Sequence, residues 1–173
     1  MRVIGIDPGS RICGWGVVEE LARPARLCHV DCGGIFTDTS TGLPDRLQCI
    51  YEGLRERIRT YAPQEAALEN VFYHKNARSA LVLGHARAAA MLACLHEGLP
   101  VFEYSATQIK QAVAGYGRAE KRQVALMVKS LLRLPESAMT DASDALAGAI
   151  CHLNSRGIRL ALDKIEKRGK KQQ

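Results

Sequence analysis

The sequence predicts an α/β fold in which a mixed five-stranded sheet is flanked by helices. Three strand patterns come first along the chain, and two shorter strand patterns then alternate with helical segments. The five predicted strands cover residues 2–7, 14–20, 26–36, 66–69 and 101–104. Strands that follow one another as a meander and then alternate with helices are typical of a mixed sheet with helices packed beside it.

Turn and loop residues separate the predicted strands. Residues 7–11, with the sequence DPGSR, join the first two strands, because Pro-Gly after an apolar run is typical of a turn. The third strand contains Gly33-Gly34 between apolar residues. The fourth is short and apolar, ends at Glu69, and leads into the polar and aromatic loop 70–76.

Five helices are predicted from apolar residues that recur every three or four positions. They cover residues 43–61, 77–97, 107–113, 120–132 and 141–154. Pro63 stops the first helix, and Gly98 follows the second, which is rich in alanine. Gly115 and Gly117 break the helical pattern between the third and the fourth helix.

Length and charge indicate one domain followed by a basic tail. The chain has 173 residues, of which 47% are hydrophobic and 24% charged, as expected for an ordinary globular protein. Residues 156–173 hold seven Lys/Arg and two acidic residues, whereas the rest of the chain is nearly balanced. We therefore expect a domain over 1–155 and a flexible basic tail over 156–173. Such a tail is either a solvated, helical or frayed terminus or an arm that strengthens nucleic-acid binding.

The sequence contains no signal for export, membrane insertion or zinc binding. No apolar run approaches the ~20 residues that span a bilayer, and the N-terminus enters a strand directly. The six cysteines are scattered among apolar residues, which favours reduced thiols, and the five histidines lack metal-ligand spacing. We expect a cytoplasmic protein with no membrane association.

Four acidic residues stand where a buried carboxylate would need a positive partner. Asp7 and Glu69 each end an apolar strand, and Asp141 and Asp144 begin an apolar helix. A buried carboxylate protonates, pairs with a cation or binds a metal. Each residue alone also has a structural explanation. Acidic residues are common at a helix start, where the helix dipole favours negative charge, and turns or strand ends with an acidic residue occur in many folds.

The combination of the four carboxylates is more informative than any one of them. They converge only if the sheet brings its strand ends together beside the last helix. Carboxylates grouped in this way suit hard divalent cations, and two Mg²⁺ ions about 3.5–4 Å apart support in-line attack on phosphodiesters. The sequence therefore predicts catalytic metal ligands at Asp7, Glu69, Asp141 and Asp144.

Four stretches of the chain resemble the RuvC family of bacterial Holliday junction resolvases, nucleases with an RNase H-like fold. Together they span nearly the whole chain up to about residue 154, in an order and spacing that make the resemblance highly specific. The stretches are IGIDPGSRICGWGVV at 4–18, ALENVFYHKNARSALVLGHARAAAM at 67–91, VFEYSATQIKQAVAGYGRAEKRQVALMV at 101–128 and TDASDALAGAICH at 140–152.

The resemblance implies roles for individual residues. The family's four metal-binding carboxylates match Asp7, Glu69, Asp141 and Asp144. Phe72 matches a residue that stacks on an unpaired base at the crossover, with Tyr73 beside it, although a loop-packing role is the alternative. Lys110 and Lys121 match basic residues that contact phosphates near the scissile bond. The further candidate DNA contacts are Lys75, Arg78, Arg118 and Arg122.

The resemblance also implies an activity and its partners. It implies a Mg²⁺-dependent endonuclease, with two ions per subunit and Mn²⁺ as a possible substitute. The enzyme would resolve Holliday junctions by symmetric paired nicks in homologous recombination and DNA repair, leaving 5′-phosphate and 3′-hydroxyl ends. It would act in the cytoplasm, at the nucleoid, as a homodimer paired through the apolar helix 77–97. The RuvAB branch-migration complex would be its partner.

Two alternatives use the same sequence features. An actin-like or sugar-kinase ATPase shares the sheet and a strand turn for phosphate, but it needs two lobes and a second phosphate motif that 173 residues do not provide. A junction-binding protein without catalytic activity would keep the fold, and the presence of all four carboxylates argues against it.

Overall fold

A computed structural model of the chain describes residues 1–22, 25–70, 76–135 and 142–169. The strands are β1 (Arg2–Asp7), β2 (Ile12–Ala22), β3 (Ala25–Phe36), β4 (Glu65–Asn70) and β5 (Val101–Ser105). The helices are α1 (Leu43–Tyr61), α2 (Ala77–His96), α3 (Ala106–Ala114), α4 (Lys121–Leu132) and α5 (Ser143–Gly169).

The described strands form one mixed sheet in the order β3-β2-β1-β4-β5. The meander pairs β1 with β2 and β2 with β3 in antiparallel fashion, whereas β4 is parallel to both β1 and β5. Parallel neighbours need a crossover, which α1 and α2 supply. The predicted mixed five-stranded sheet with flanking helices is confirmed.

The side chains of β1 alternate between two hydrophobic cores on opposite faces of the sheet. Ile4 and Ile6 pack in the first core, with residues of α1 and α2. Val3 lies in the second core, with residues of α3, α4 and α5. Because strand side chains alternate in direction, Gly5 and Asp7 share the face of Val3. Asp7 therefore projects to the side of the sheet on which α5 packs.

Helix α5 packs very closely on β1 because glycine occupies the contact. A Cβ added at Gly5 would lie 1.8 Å from the carbonyl oxygen of Ala145. On β2, a Cβ added at Gly16 would lie 2.6 Å from Leu146. No side chain fits at Gly5, because its neighbours are backbone atoms of α5, whereas an alanine at Gly16 would force the side chain of Leu146 to shift. The close approach places the start of α5 directly over the central strand.

A buried polar network fixes the middle of α5 against β4 and β5. His152 is fully buried, and its Nδ1 lies 2.8 Å from the hydroxyl of Tyr104. Its Nε2 contacts the carboxylate of Glu65, which also pairs with Arg156. A buried polar group is costly without partners, and both ring nitrogens have one here. The network thus adds a specific polar contact to an otherwise apolar interface.

The last helix is longer than the sequence pattern indicated. Its prediction ended at residue 154, whereas α5 continues across that point to Gly169. Helix α5 thus runs across the boundary between the predicted domain over 1–155 and the predicted flexible tail over 156–173. The division itself stays a prediction. Residues 170–173 lie outside the described part of the chain.

Helix α2 is half-exposed and strongly apolar. Its buried residues are small, and they pack in the first core. Leu81, Leu92 and Leu95 are 66%, 50% and 58% exposed. Contrary to the sequence estimate, α2 is long and apolar enough, by length and composition, to cross a membrane. Its packing against α1 and the sheet is that of a core helix with one uncovered face.

Candidate active site

The ends of two parallel strands bring two of the predicted carboxylates together. Ile6 of β1 pairs with Leu68 of β4, so Asp7 and Glu69 follow as the next pair along the two strands. Asp144 is in the first turn of α5, beside the Ala145 carbonyl that rests on Gly5. The close packing of α5 on glycine therefore places Asp144 over the same strand end.

The three carboxylates line one cavity of about 470 Å³. Lys110 from α3 and Lys121 from the start of α4 line it too, so acidic and basic groups share the space. The remaining lining residues are Pro8, Leu83, Ala106, Ile109, Val124 and Ala147. The cavity thus combines an apolar wall with charged groups from three helices and two strands.

Burial and mutual repulsion raise the pKa values of two carboxylates. Burial raises the pKa of Asp7 most, the charge of Asp144 raises it further, and Lys121 opposes the rise. Burial likewise raises the pKa of Glu69, with contributions from Asp7 and Asp144, against Lys121 and Lys110. The protein's own cations therefore offset only part of the negative charge in the cavity.

Lys121 and Asp144 form a close ion pair in the cavity. Nζ of Lys121 lies 2.5 Å from Oδ2 of Asp144. The lysine side chain is 73% exposed, whereas that of Asp144 is 25% exposed. An exposed lysine thus pairs with a carboxylate that is mostly buried.

The donor atoms in the cavity suit a hard divalent cation, but the described residues do not form a complete ligand set. Carboxylate oxygens are the preferred ligands of Mg²⁺ and related ions, and the unbalanced negative charge here would favour them. Asp7, Glu69 and Asp144 share the cavity, yet within the described ranges no three His, Cys, Asp or Glu side chains stand close enough together to hold a metal ion. The predicted fourth ligand, Asp141, lies outside those ranges.

The predicted DNA contacts fall into three sets. Lys110 and Lys121 line the carboxylate cavity. Arg78, at the start of α2, and Arg118 and Arg122, around the start of α4, are exposed and do not line it. Phe72, Tyr73 and Lys75 lie outside the described residues.

Sequence reasoning missed two residues of α2 at this site. Leu83 lines the cavity, and Nε of Arg87, one turn later, lies 3.4 Å from the backbone carbonyl oxygen of Glu69. Their spacing of four residues places them on one helix face. That spacing was visible in the sequence, but the apolar residues all around the helix hid which face meets the strand end.

Comparison with known proteins identifies the family. The family model described as crossover junction endodeoxyribonuclease RuvC matches residues 3–152. A relative from Trichlorobacter lovleyi, with the same description, is 58% identical over 160 residues, which are 92% of this chain and 89% of that protein. The chain belongs to the RuvC family. It is therefore a DNA-cleaving hydrolase, as predicted from the sequence.

Solved structures agree with this assignment. RuvC of Thermus thermophilus is 32% identical, with a TM-score of 0.83, over 91% of this chain and 96% of that one. The same protein in complex with Holliday junction substrate is similar, with 30% identity and a TM-score of 0.82 over the same shares of the two chains. The resemblance and the fold predicted from the sequence are confirmed.

Proposed function

We propose that the chain resolves Holliday junctions by metal-dependent, symmetric paired nicks. The observation that carries the proposal is the cavity in which Asp7, Glu69 and Asp144 face Lys110 and Lys121. Acidic groups that can bind cations stand there beside basic groups that can bind phosphates. The similar Thermus thermophilus protein in complex with Holliday junction substrate supports the choice of DNA.

In this proposal, Asp7, Glu69 and Asp144, together with Asp141, bind the metal. These residues would hold two Mg²⁺ ions, or Mn²⁺ in their place, which would supply an acidified water and charge stabilisation for phosphodiester hydrolysis. The backbones of Asp7 and Glu69 are held in the sheet by pairing with Gly14 and Tyr104, which fixes the points from which the two carboxylates project. Hydrolysis leaves a 5′-phosphate and a 3′-hydroxyl end.

The two lysines act on the substrate phosphate. Lys110 is half-buried in the cavity wall and supplies a fixed positive charge. Lys121, which pairs with Asp144 at 2.5 Å in the protein alone, turns to the phosphate beside the scissile bond when DNA and metal bind. The remaining predicted contacts serve the DNA arms: Phe72 and Tyr73 stack on bases at the crossover, and Lys75, Arg78, Arg118 and Arg122 contact phosphates.

The exposed apolar stripe of α2 forms the homodimer contact in this proposal. Leu81, Leu92 and Leu95 lie on one face of the helix, at spacings of eleven and three residues, and remain open to solvent. Burial of such a stripe against a second copy removes apolar surface from water. A two-fold dimer presents two equivalent cavities, which suits paired nicks in two strands of like polarity.

The wider setting of the proposal is DNA recombination and repair in the bacterial cytoplasm. There the enzyme works at the nucleoid with the RuvAB branch-migration complex. The basic residues of 156–173 would add non-specific attraction to DNA, because lysine and arginine release counterions from phosphates.

The proposal is tested with a mobile four-way junction and a linear duplex, in Mg²⁺ or in EDTA. Wild type should nick the junction symmetrically in Mg²⁺ only. Asp7→Asn should lose cleavage about 10³-fold or more, since several kcal/mol of transition-state stabilisation disappear, while junction binding remains. Asp45→Asn, at an exposed position in the first turn of α1, is the matched control and should cleave normally.

Two outcomes contradict the proposal. Loss of junction binding with retained cleavage in Asp7→Asn would show that the carboxylates do not perform the chemistry. Binding of the junction by wild type without cleavage in any divalent metal would leave a junction-binding protein without nuclease activity.

A further inference from the structure

Arg87 contacts the strand that carries Glu69 from the face of the sheet opposite α5. The guanidinium Nε lies 3.4 Å from the carbonyl oxygen of Glu69, and Nη2 lies 2.8 Å from Oε1 of Glu103. The arginine side chain is only 16% exposed. The approach of Nη2 to Glu103 is an ion pair without hydrogen-bond alignment, whereas Nε donates to the carbonyl oxygen of Glu69 and Nη1 donates to Sδ of Met91 at 3.6 Å.

The guanidinium joins the ends of two neighbouring strands. Glu103 of β5 pairs with Leu68 of β4, the residue just before Glu69. Leu68 lies in the core shared with α1 and α2, whereas Ala67 lies in the core shared with α5. By this alternation the carboxylate of Glu69 projects to the α5 side, into the cavity. Arg87 therefore contacts the backbone of Glu69 on one side while the carboxylate acts on the other.

A backbone contact at a strand end has a direct effect on the side chain attached to it. Glu69 is the second-last residue of β4, and residues 71–75, directly beyond, lie outside the described ranges. The strand ladder supports Glu69 from β5 through its pairing with Tyr104. Rotation of the last peptide units would swing the Glu69 carboxylate, and the Arg87 hydrogen bond opposes that rotation.

We propose that Arg87 is a positioning residue that holds the Glu69 carboxylate in its metal-binding orientation. The inference rests on the proposed function, since it assigns a support to one of the proposed ligands. Groups that hydrogen-bond to metal ligands orient them, and their removal typically reduces metal affinity or activity by about 10–100-fold. Arg87 never touches substrate in this scheme and acts only through Glu69.

The test measures Mn²⁺ binding to the DNA-free protein by titration calorimetry. Arg87→Gln should weaken Mn²⁺ binding about 10-fold or more and raise the metal concentration required for cleavage by the same factor. Junction affinity in EDTA should stay the same. Arg87→Lys keeps a positive charge for Glu103 but lacks the planar fork, so it should lie between wild type and Arg87→Gln. Glu103→Gln leaves the contact between Arg87 and the Glu69 carbonyl in place, so it should weaken Mn²⁺ binding less than Arg87→Gln does.

Arg59→Gln is the matched control. Arg59 forms a comparable ion pair with Glu97 at 2.9 Å, on α1 and outside the cavity. The Arg59→Gln variant should bind Mn²⁺ with the affinity of the wild type. The melting temperature in EDTA is recorded for every variant, and Arg87→Lys carries the test if Arg87→Gln does not fold.

The outcomes separate this inference from the function on which it rests. Unchanged Mn²⁺ affinity in Arg87→Gln, with wild type binding Mn²⁺ and cleaving junctions, overturns the positioning role alone. A wild type that neither binds Mn²⁺ nor cleaves overturns the proposed function instead. Weaker Mn²⁺ binding in Arg87→Gln, at an unchanged melting temperature, supports the positioning role.

Discussion

The two faces of the sheet solve different packing problems. On the face of α5, glycines at positions 5 and 16 let a helix backbone rest against the strands. On the face of α2, small residues point inward, while Leu81, Leu92 and Leu95 remain uncovered. The first face carries the carboxylates beside a helix that packs directly on the central strand. The second leaves the leucine stripe of α2 uncovered in the single chain.

In the function and dimer that we propose, one sheet separates chemistry from assembly. A carboxylate that acts with others must be held to a fraction of an ångström, which tight backbone packing achieves. An apolar stripe, in contrast, needs only to be exposed and to match a second surface. Arg87 connects the two faces, because it belongs to α2 and contacts the backbone of Glu69, whose carboxylate lies on the α5 side of the sheet.

The largest change in free energy is expected when the close contact between α5 and β1 is broken, and it is a loss of folding stability. Gly5→Ala places a Cβ 1.8 Å from the carbonyl of Ala145, so α5 must move away from β1. Overpacking of this severity should cost about 3 kcal/mol or more in the free energy of unfolding. Thermal melting measures the cost.

Gly157→Ala is the control for this comparison. Gly157 is exposed on α5 itself, and an added Cβ meets nothing within 4 Å. Alanine there should leave the melting temperature unchanged or raise it slightly, because alanine is the better helix former. Equal melting temperatures for Gly5→Ala and wild type would refute the account of the α5 face.

An intermediate change in free energy is expected from the α2 face, and it concerns the affinity of the proposed dimer. Leu92→Arg places a charge in the apolar stripe that we propose for subunit pairing, and should raise the dimer dissociation constant about 30-fold or more, as expected for loss of a central interface residue. Sedimentation velocity measures the shift. Leu126→Arg, at a similarly exposed leucine on α4, should leave the oligomeric state unchanged. Equal dissociation constants for both variants would place the subunit contact elsewhere.

The smallest change is expected in the pH dependence of folding stability, and it comes from Asp7 on the α5 face of the sheet. Because burial raises its pKa above the ordinary 3.8, the folded state holds this proton more tightly than the unfolded state does. Stability from Asp7 is therefore present at acidic pH and is lost as pH rises through the folded pKa. Asp7→Asn cannot ionise and avoids this loss at neutral pH.

The measurement is thermal melting in EDTA as a function of pH. At pH 7, Asp7→Asn should melt at a higher temperature than wild type, because its neutral amide places no charge in the buried site. The advantage should vanish at a pH below the ordinary pKa of aspartate, where both side chains are neutral. Asp45→Asn should show no such gain. An equal or lower melting temperature for Asp7→Asn at pH 7 would contradict the pKa direction.

The sequence predicted what depends on local pattern. The meander, the crossovers and the convergence of Asp7, Glu69 and Asp144 follow from strand ends and the start of a helix. The contact of Arg87 with Glu69 depends on the angle at which α2 crosses the sheet, which no local pattern specifies. The predicted roles of Asp141, Phe72, Tyr73 and Lys75 remain predictions, since these residues lie outside the described ranges.

The length of α5 was missed for a physical reason as well. The helix had been ended where its apolar periodicity weakens, near residue 154. Helix formers such as Arg, Leu, Ala, Lys and Glu continue beyond that point without proline, so the backbone remains helical to Gly169.

Helix α5 also has a mechanical consequence. Its 27 residues rise about 1.5 Å each and form a rod roughly 40 Å long. Asp144 is at one end of the rod, and the basic stretch that begins at Arg156 occupies the other half. The contact with Gly5 lies near the acidic end, and the contacts of His152 hold the rod nearer its middle. Two separate points of attachment to the sheet thus fix the direction of the rod, and with it the position of Asp144.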